Sequence, residues 1–443
     1  DGFVVGGRLA DAIDAARAAL ARQRAAAAYF LRPDGSPHPL GARLVNPAYA
    51  ETLRRLAAGG AAAFYRGPMA DELVAEVARS TADGPAGATA PAAMTPGRMT
   101  TADVASYRVV RREPVCGPYR RWVVCGMGPP SSGGLAVAQA LGILEAFDVP
   151  ARMAAAADPE GRAAAPEVVH LIAEALRLAF ADRNRYVADT DFVPLPAAGA
   201  ASLLAPDYLR RRAARIRPEA SLGSAPPGRF DGAQPVAAVA QPEGGGTTHV
   251  AIVDAAGNAV ALTSSVEGSL GAWRMVRGFV LNNQLTDFAA DPEAAEGPVA
   301  NRLQGGKRPR SSMAPTLVFD RAPGGGPGAL RMVTGSAGGP TIIAHVVHSI
   351  VAVLDGGLDA QQAAGRVNVA SFNTALTLLG GEHPRIDARD NGAHDALAGA
   401  LRARGHEVAV RAQASGLAVI VRRADSGWQG GVDPRREGLA LGW

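Results

Sequence analysis

Gly244-Gly245-Gly246-Thr247-Thr248-His249-Val250-Ala251-Ile252-Val253 is the stretch on which the fold turns. A glycine run meets a strand that opens on threonine. Thr248–Val253 reads as a β-strand, Asp254-Ala255-Ala256-Gly257-Asn258 as a turn, and 259–265 as the returning strand. Threonine is a weak nucleophile unless a base stands beside it. An N-terminal threonine carries its own base, the free α-amine, which titrates near 7.7–8.0 in ordinary peptides. Making that amine requires cleavage of the Gly246–Thr247 bond, by attack of the Thr247 hydroxyl on the Gly246 carbonyl and hydrolysis of the resulting ester. Glycine tolerates the distorted backbone such an attack needs. Taken alone, the same residues also read as a loop glycine followed by ordinary strand threonines.

Working backward, residues 217–246 are rich in proline, glycine, serine and alanine and read as a flexible, exposed linker. The first half before it is mostly helical. Helices are expected over 8–28, 48–59, 69–80 and 165–188, and from the Gly133-Gly134 turn to about Phe147, with a serine as cap. Cys116 and Cys125 flank a hairpin centred on Arg120-Arg121. Two buried thiols are the simpler reading, although facing sulfurs are compatible with a disulfide.

Working forward, strands are expected at 278–282, 315–319, 329–334, 407–411 and 416–422, and helices at 340–354 and 395–404. This is an α+β pattern of layered sheets covered by helices. Thr334-Gly335-Ser336-Ala337-Gly338-Gly339 leaves a strand and enters a helix, where backbone N–H groups can hold a developing oxyanion. A simple turn explains the glycines equally well. Asn282-Asn283-Gln284 with Asp287, and Arg308-Pro309-Arg310-Ser311-Ser312, offer hydroxyls, amides and a carboxylate that could grip both ends of an amino acid; turn chemistry is the plainer alternative.

Composition limits the remaining classes. The 443 residues are 48% hydrophobic and 19% charged, within the globular range, and the net charge is +4. Lys307 is the only lysine, and the arginines are scattered, with short runs such as Arg210-Arg211-Arg212. No long basic block interleaves with aromatics, so no nucleic-acid partner is expected. No apolar run approaches the length of a membrane span. The histidines show no metal-ligand spacing, and no metal or organic cofactor is expected. Strand alternation puts His249 on the face of Thr247, where packing or a supporting role is expected.

Taken together, these motifs resemble the γ-glutamyltranspeptidase family, in its order and spacing. The matching pieces are Thr247-Thr248-His249, Asp254 with Gly257-Asn258, Leu281-Asn282-Asn283-Gln284, Asp287-Phe288, Arg308-Pro309, Ser311-Ser312-Met313 and Thr334-Gly335-Ser336 with Gly338-Gly339. The first half adds Pro129-Pro130-Ser131-Ser132-Gly133-Gly134 and Ala181-Asp182-Arg183. The resemblance implies a four-layer αββα sandwich of the N-terminal nucleophile hydrolase type. It implies self-cleavage between Gly246 and Thr247 into a large-subunit portion, 1–246, and a small subunit, 247–443, that stay together as a heterodimer within one intertwined domain. Thr247 becomes the nucleophile, Ser265 a second hydroxyl that orients it, and Gly338 and Gly339 the oxyanion hole. Ser311 and Ser312 bind the substrate α-carboxylate, while Glu267, Gln284 and Asp287 hold its α-amino group. Glu267 stands where many members have asparagine.

The implied activity is that of a γ-glutamyltransferase and glutathione hydrolase, with glutathione or another γ-glutamyl compound as donor and an amino acid, peptide or water as acceptor. A glutaryl or cephalosporin acylase and a non-catalytic scaffold are the alternatives. The resemblance also implies a periplasmic or secreted location, and that an N-terminal portion of the large subunit, with an arginine for the α-carboxylate, is missing from this sequence. The segment from Phe288 to Lys307 is short and lacks the tyrosine of the family's lid.

Overall fold

Separate groups of apolar side chains close separate cores, and a computed structural model of the chain divides accordingly into two compact units. The structure describes residues 1–79, 96–155, 164–231, 236–237, 246–425 and 427–442. The first unit is Asp1–Arg111 with Val266–Gln284, and the second is Arg112–Ser265 with Leu285–Trp443. Ile13, Leu20, Ala26, Phe30 and Leu31 pack with Leu270 and Met275 and not with the larger core. Both units nonetheless draw on residues from either side of the Gly246–Thr247 bond.

In the first unit, the alanine-rich helix expected over 8–28 is two helices, Gly7–Leu20 and Arg24–Phe30. Between them Gln23 is extended, and its buried side chain accepts from Arg79 Nη2 at 2.8 Å. Alanine favours a helix everywhere and marks no end, so the break could not be read from the run itself. Pro47–Gly59 and Pro68–Ala78 form as expected, each with proline in its first turn. The strand expected at 278–282 is only Phe279–Val280, paired with Met275–Val276.

The second unit holds a six-stranded antiparallel sheet, in the order Trp428–Val432, Ala418–Arg422, Pro327–Gly335, Thr316–Arg321, Trp122–Gly126, Val115–Tyr119. The helices Gly133–Leu144, Pro166–Tyr186 and Thr341–Leu354 build the large core on one face. On the other, the hairpin Thr247–Val253/Ala259–Ser265 packs against Pro327–Gly335 and Ala418–Arg422. This is the α+β layering expected from the sequence. Alternation along the hairpin turns Thr247 and His249 toward the sheet and leaves Val250, Ile252, Val260 and Leu262 exposed. A smaller sheet of Val369–Ser371, Leu376–Gly380 and Glu407–Arg411 closes a satellite core with the helix Ala396–Ala403. Among the described residues, no helix is long and apolar enough to cross a membrane.

Two further expectations are corrected. Cys116 and Cys125 are not a pair of buried thiols: Cys116 is exposed, and the two are bonded, with S–S 2.10 Å. The turn at Arg120-Arg121 sets them directly opposite, with Cα atoms 4.1 Å apart. The expected flexible linker is packed over its first part. Ala225 is buried, its N–H donates to Asn373 Oδ1 at 2.7 Å, and Gly228 N–H donates to Asp182 Oδ1 at 2.7 Å. The expectation for 232–235 and 238–245 lies outside the described residues.

Candidate active site

Thr247 begins its strand directly opposite Ser265, and its Oγ1 donates to Ser265 Oγ at 3.1 Å. It is buried, with 7% of its surface exposed, so its hydroxyl is shielded from bulk water. Its carbonyl accepts from Arg436 Nη2 at 2.5 Å. Two residues along, His249 shares a hydrogen bond with Thr263 Oγ1 at 2.9 Å through Nδ1. The ring packs against Gly335, where a Cβ would fall 2.2 Å from it. Any side chain at 335 would displace the histidine, so glycine is required there for close approach. Burial pushes His249 down to about 4, leaving it neutral at pH 7.

Gly335 ends the sheet strand that leads to Gly338 and Gly339, with φ of 125° and 61°. Both values are in the region that favours glycine. Thr341 Oγ1 donates to the Gly338 carbonyl at 2.7 Å and Ile342 N–H to that of Gly339 at 3.1 Å, tying the loop to the start of the Thr341–Leu354 helix. Ser336 Oγ lies 3.3 Å from His345 Nδ1. A second chain of contacts leads from this loop back to Thr247. Gly416 N–H donates to Ala337 O at 3.4 Å, Ser415 N–H donates to Asp433 at 3.1 Å, and the turn that begins at Asp433 ends at Arg436. The glycine loop therefore borders the Thr247 end of the hairpin by two routes, through His249 and through Arg436.

Ser311 and Ser312 are held from the first half of the chain. Ser131 and Ser311 form a bridge between strand-like segments, with Ser311 Oγ donating to Ser131 Oγ at 3.1 Å. Ser132 precedes the Gly133–Leu144 helix, but its side chain makes no cap bond, contrary to expectation. It donates to the Ser311 carbonyl at 2.7 Å and accepts from Arg183 Nε at 2.8 Å. Arg183 Nη2 also donates to Ser312 Oγ at 2.6 Å. Gly133 permits this crossing, since a Cβ there would fall 2.1 Å from Met313 O. A buried arginine thus grips both serine segments, a role that its sequence neighbourhood did not reveal.

Of the residues assigned to the α-amino group, Asp287 lies in the second unit, buried at 5% exposure, with its carbonyl accepting from Asn301 Nδ2 at 2.7 Å. Glu267 and Gln284 belong to the first unit, where Glu267 adopts a φ of 73° beside Gly268, whose N–H donates to Asn283 Oδ1 at 2.8 Å. The segment after Phe288 carries only the two-residue strands Glu293–Ala294 and Gly297–Pro298. Lys307 Nζ donates to Ala300 O at 2.5 Å, and burial pushes its ammonium down to about 8.

One group was not legible from spacing. His170, Glu174 and His406 meet within 4.8 Å of one another. The two histidines bond to each other, His170 Nδ1 to His406 Nε2 at 2.7 Å, and to their surroundings, His170 Nε2 to the Arg217 carbonyl at 2.8 Å and His406 Nδ1 to Thr377 at 2.9 Å, while Glu174 accepts from Ser221 Oγ at 2.9 Å. Burial lowers both histidines, His406 to about 3, and it also lowers His345 to about 3, as well as His348. An unfolded histidine titrates near 6.5. Below that pH the unfolded chain takes up protons that the fold refuses, so this stability is complete above about 6.5 and is lost as pH falls toward 4 and below. Melting temperatures should therefore drop steadily from pH 6.5 to 4. A flat profile across that window would contradict neutral buried histidines.

The structure thus sets a buried threonine at the start of a hairpin strand that packs on the six-stranded sheet of an α+β fold. The chain belongs to the γ-glutamyltranspeptidase family, whose pattern it matches over residues 1–443. It is 30% identical over 449 residues to the glutathione hydrolase proenzyme of Escherichia coli (strain K12), covering 98% of this chain and 68% of that protein. It is 32% identical over 444 residues to the acylase ACY 1 proenzyme of Pseudomonas sp. (strain V22), covering 99% and 68%. Its fold is similar to that of a cephalosporin acylase from Bacillus halodurans, with a TM-score of 0.75 at 24% identity over 100% of this chain and 72% of the other. The family is of hydrolase and transferase type and contains both glutathione hydrolases and acylases.

Proposed function

We propose that the chain cuts itself between Gly246 and Thr247, and that Thr247 then carries the acyl group of a γ-glutamyl amide to water or to an amine. The observation that carries this reading is the buried Thr247 hydroxyl, hydrogen-bonded to Ser265 at the first position of a core strand. In maturation, Thr247 Oγ1 attacks the Gly246 carbonyl, the C–N bond breaks, and water opens the ester, leaving a carboxylate on Gly246 and a free amine on Thr247. In turnover, the same oxygen attacks the substrate carbonyl while the amine takes its proton. The N–H groups of Gly338 and Gly339 hold the oxyanion, and the proton passes to the leaving amine as the amide breaks. Water or an acceptor amine then releases the glutamyl ester. Ser311 and Ser312, locked by Ser131, Ser132 and Arg183, receive the α-carboxylate.

Glutaryl or cephalosporin acylase activity is the second reading, favoured by Glu267 in the place of the usual asparagine and by the short, tyrosine-free segment after Phe288. The two differ in their need for an α-amino group. Purified protein should release p-nitroaniline from γ-glutamyl-p-nitroanilide at least about tenfold faster than from the glutaryl analogue, since losing a buried charged contact costs more than about 1.4 kcal/mol. Faster turnover of the glutaryl compound would replace the first reading with the second. An intact mass showing only the uncut chain would favour a scaffold.

A further inference from the structure

His170, Glu174 and His406 take no part in the proposed reaction, yet they bring three donor atoms together inside the second unit. His170 and Glu174 stand four residues apart on the helix Pro166–Tyr186, so they share one face. His406 arrives from the far end of the sequence, directly before the strand Glu407–Arg411. All three side chains are fully closed off from solvent. Two imidazoles and a carboxylate are a donor set that suits zinc and similar divalent cations, and suits magnesium or calcium poorly.

The hydrogen bonds around the group turn its donors toward one another. The Arg217 carbonyl can only accept, so His170 Nε2 carries the proton and Nδ1 keeps a lone pair. That lone pair faces His406 Nε2 at 2.7 Å. The outer nitrogen of His406, Nδ1, lies 2.9 Å from Thr377 Oγ1, which is also 3.0 Å from Ser371 Oγ and can accept an N–H while donating onward. Each ring thus has the outer hydrogen bond that holds a metal-ligating histidine in place. Glu174 is anchored by Ser221 Oγ at 2.9 Å and by Leu222 N–H at 2.7 Å, with Oε1 3.8 Å from His406 Nε2. Around a tetrahedral ion with bonds of about 2.0–2.1 Å, neighbouring donors stand about 3.3 Å apart. The separations of 2.7 and 3.8 Å bracket that value, and no pair exceeds 4.8 Å.

We propose that His170, Glu174 and His406 form a buried site for zinc or a chemically similar divalent cation. On binding, His406 moves its proton from Nε2 to Nδ1, where Thr377 receives the N–H, and the freed Nε2 joins His170 Nδ1 and Glu174 Oε1 on the ion. Water or hydroxide completes four-coordination. Arg177 limits the affinity. Its Nε lies 3.6 Å from Glu174 and its Nη2 3.3 Å from His406 Nδ1, and it is held by the carbonyls of Gly223 and Ala375 and by Thr377 Oγ1. The ion has to displace the contact between Arg177 and His406 and then stand near a like charge, which favours hydroxide as the fourth ligand. His170 and Glu174 precede the Gly246–Thr247 bond and His406 follows it. The site does not depend on that bond being cut; where it is cut, as proposed above, the ion joins the two polypeptides.

Because the ligands are shut away from solvent, the test supplies the ion during synthesis. Tag-free protein is expressed in medium supplemented with Zn2+, dialysed, and its metal content measured by mass spectrometry. Wild type should retain about one Zn2+ per chain, and Co2+ supplied instead should give the intense visible bands of a four-coordinate ion. His170→Gln, Glu174→Gln and His406→Gln, each able to keep a hydrogen bond, should each retain at least about tenfold less metal. Wild type that retains no Zn2+, or an equal content in wild type and all three variants, would overturn the proposal. Should the variants fail to fold, X-ray absorption at the zinc edge of the wild-type protein decides. Two imidazole nitrogens at about 2.0–2.1 Å uphold the site, and a shell without an imidazole pair overturns it. None of these readings requires self-cleavage, so their failure leaves the proposed function standing. An uncut wild-type chain that holds Zn2+ would instead remove that function and leave the site.

Discussion

The Thr247→Ala protein is expected to run as a single full-length band on a denaturing gel and to lose turnover by on the order of 10⁴-fold or more. Both effects follow from one missing oxygen. Thr247 Oγ1 donates to Ser265 Oγ in a buried position, and alanine keeps the backbone, the strand pairing and the contact with Arg436 while removing only the attacking atom and a methyl group. The variant should therefore melt close to wild type. Thr247→Ser retains the oxygen and should still cut itself. The discriminating measurement is Edman degradation alongside the gel: wild type should yield Thr-Thr-His-Val, and Thr247→Ala should yield no Ala-Thr-His-Val. Two fragments from Thr247→Ala with that same N-terminal register would mean that another group breaks the bond.

Gly338→Ala should lower kcat by about 10²–10³-fold, the usual cost of losing one oxyanion donor. The added Cβ would fall 2.6 Å from Thr341 Oγ1, and the residue would have to hold a φ of 125°, which side-chain-bearing residues rarely adopt. The loop must either shift its N–H groups or break the Thr341 bond that fixes it. A shift of the donors weakens the transition state more than the bound substrate, so kcat should fall further than KM changes. The checks are steady-state kinetics with γ-glutamyl-p-nitroanilide and the rate of precursor cutting. Unchanged kcat would place the oxyanion donors elsewhere.

The elements around Thr247 were legible because their patterns are local. Alternation across 247–265, with Asp254 and Gly257-Asn258 at the turn, predicts the hairpin that forms, and the apolar run after Pro340 predicts the helix Thr341–Leu354. Trp428–Val432 was not legible as a strand. Its Gly430-Gly431 reads as a loop, yet a Cβ on Gly431 would fall 2.3 Å from the backbone of Ala360, so glycine lets the strand pack closely on the start of the helix Ala360–Gly365. Val369–Ser371 and Leu376–Gly380 are too short to show a period. Of the candidate site, Thr247 and the glycine pair stood out by type and order, and Ser265 only through the family resemblance. Arg183 and Arg436 did not, because nothing in a scattered arginine signals which distant carbonyl or hydroxyl it will meet. The histidine pair likewise joins residues 236 positions apart.

The pairing of Trp122–Gly126 with Thr316–Arg321 acquires a different meaning once the chain is cut. The two strands then belong to separate polypeptides, and the one disulfide, Cys116–Cys125, lies wholly within the first and cannot tether them. A sheet that one chain assembled by intramolecular search would have to be rebuilt by collision between two partners, each exposing a raw edge prone to false association. The cut protein would then be preserved by the slowness of its separation rather than by any ready return, and its durability would be expressed as a lifetime.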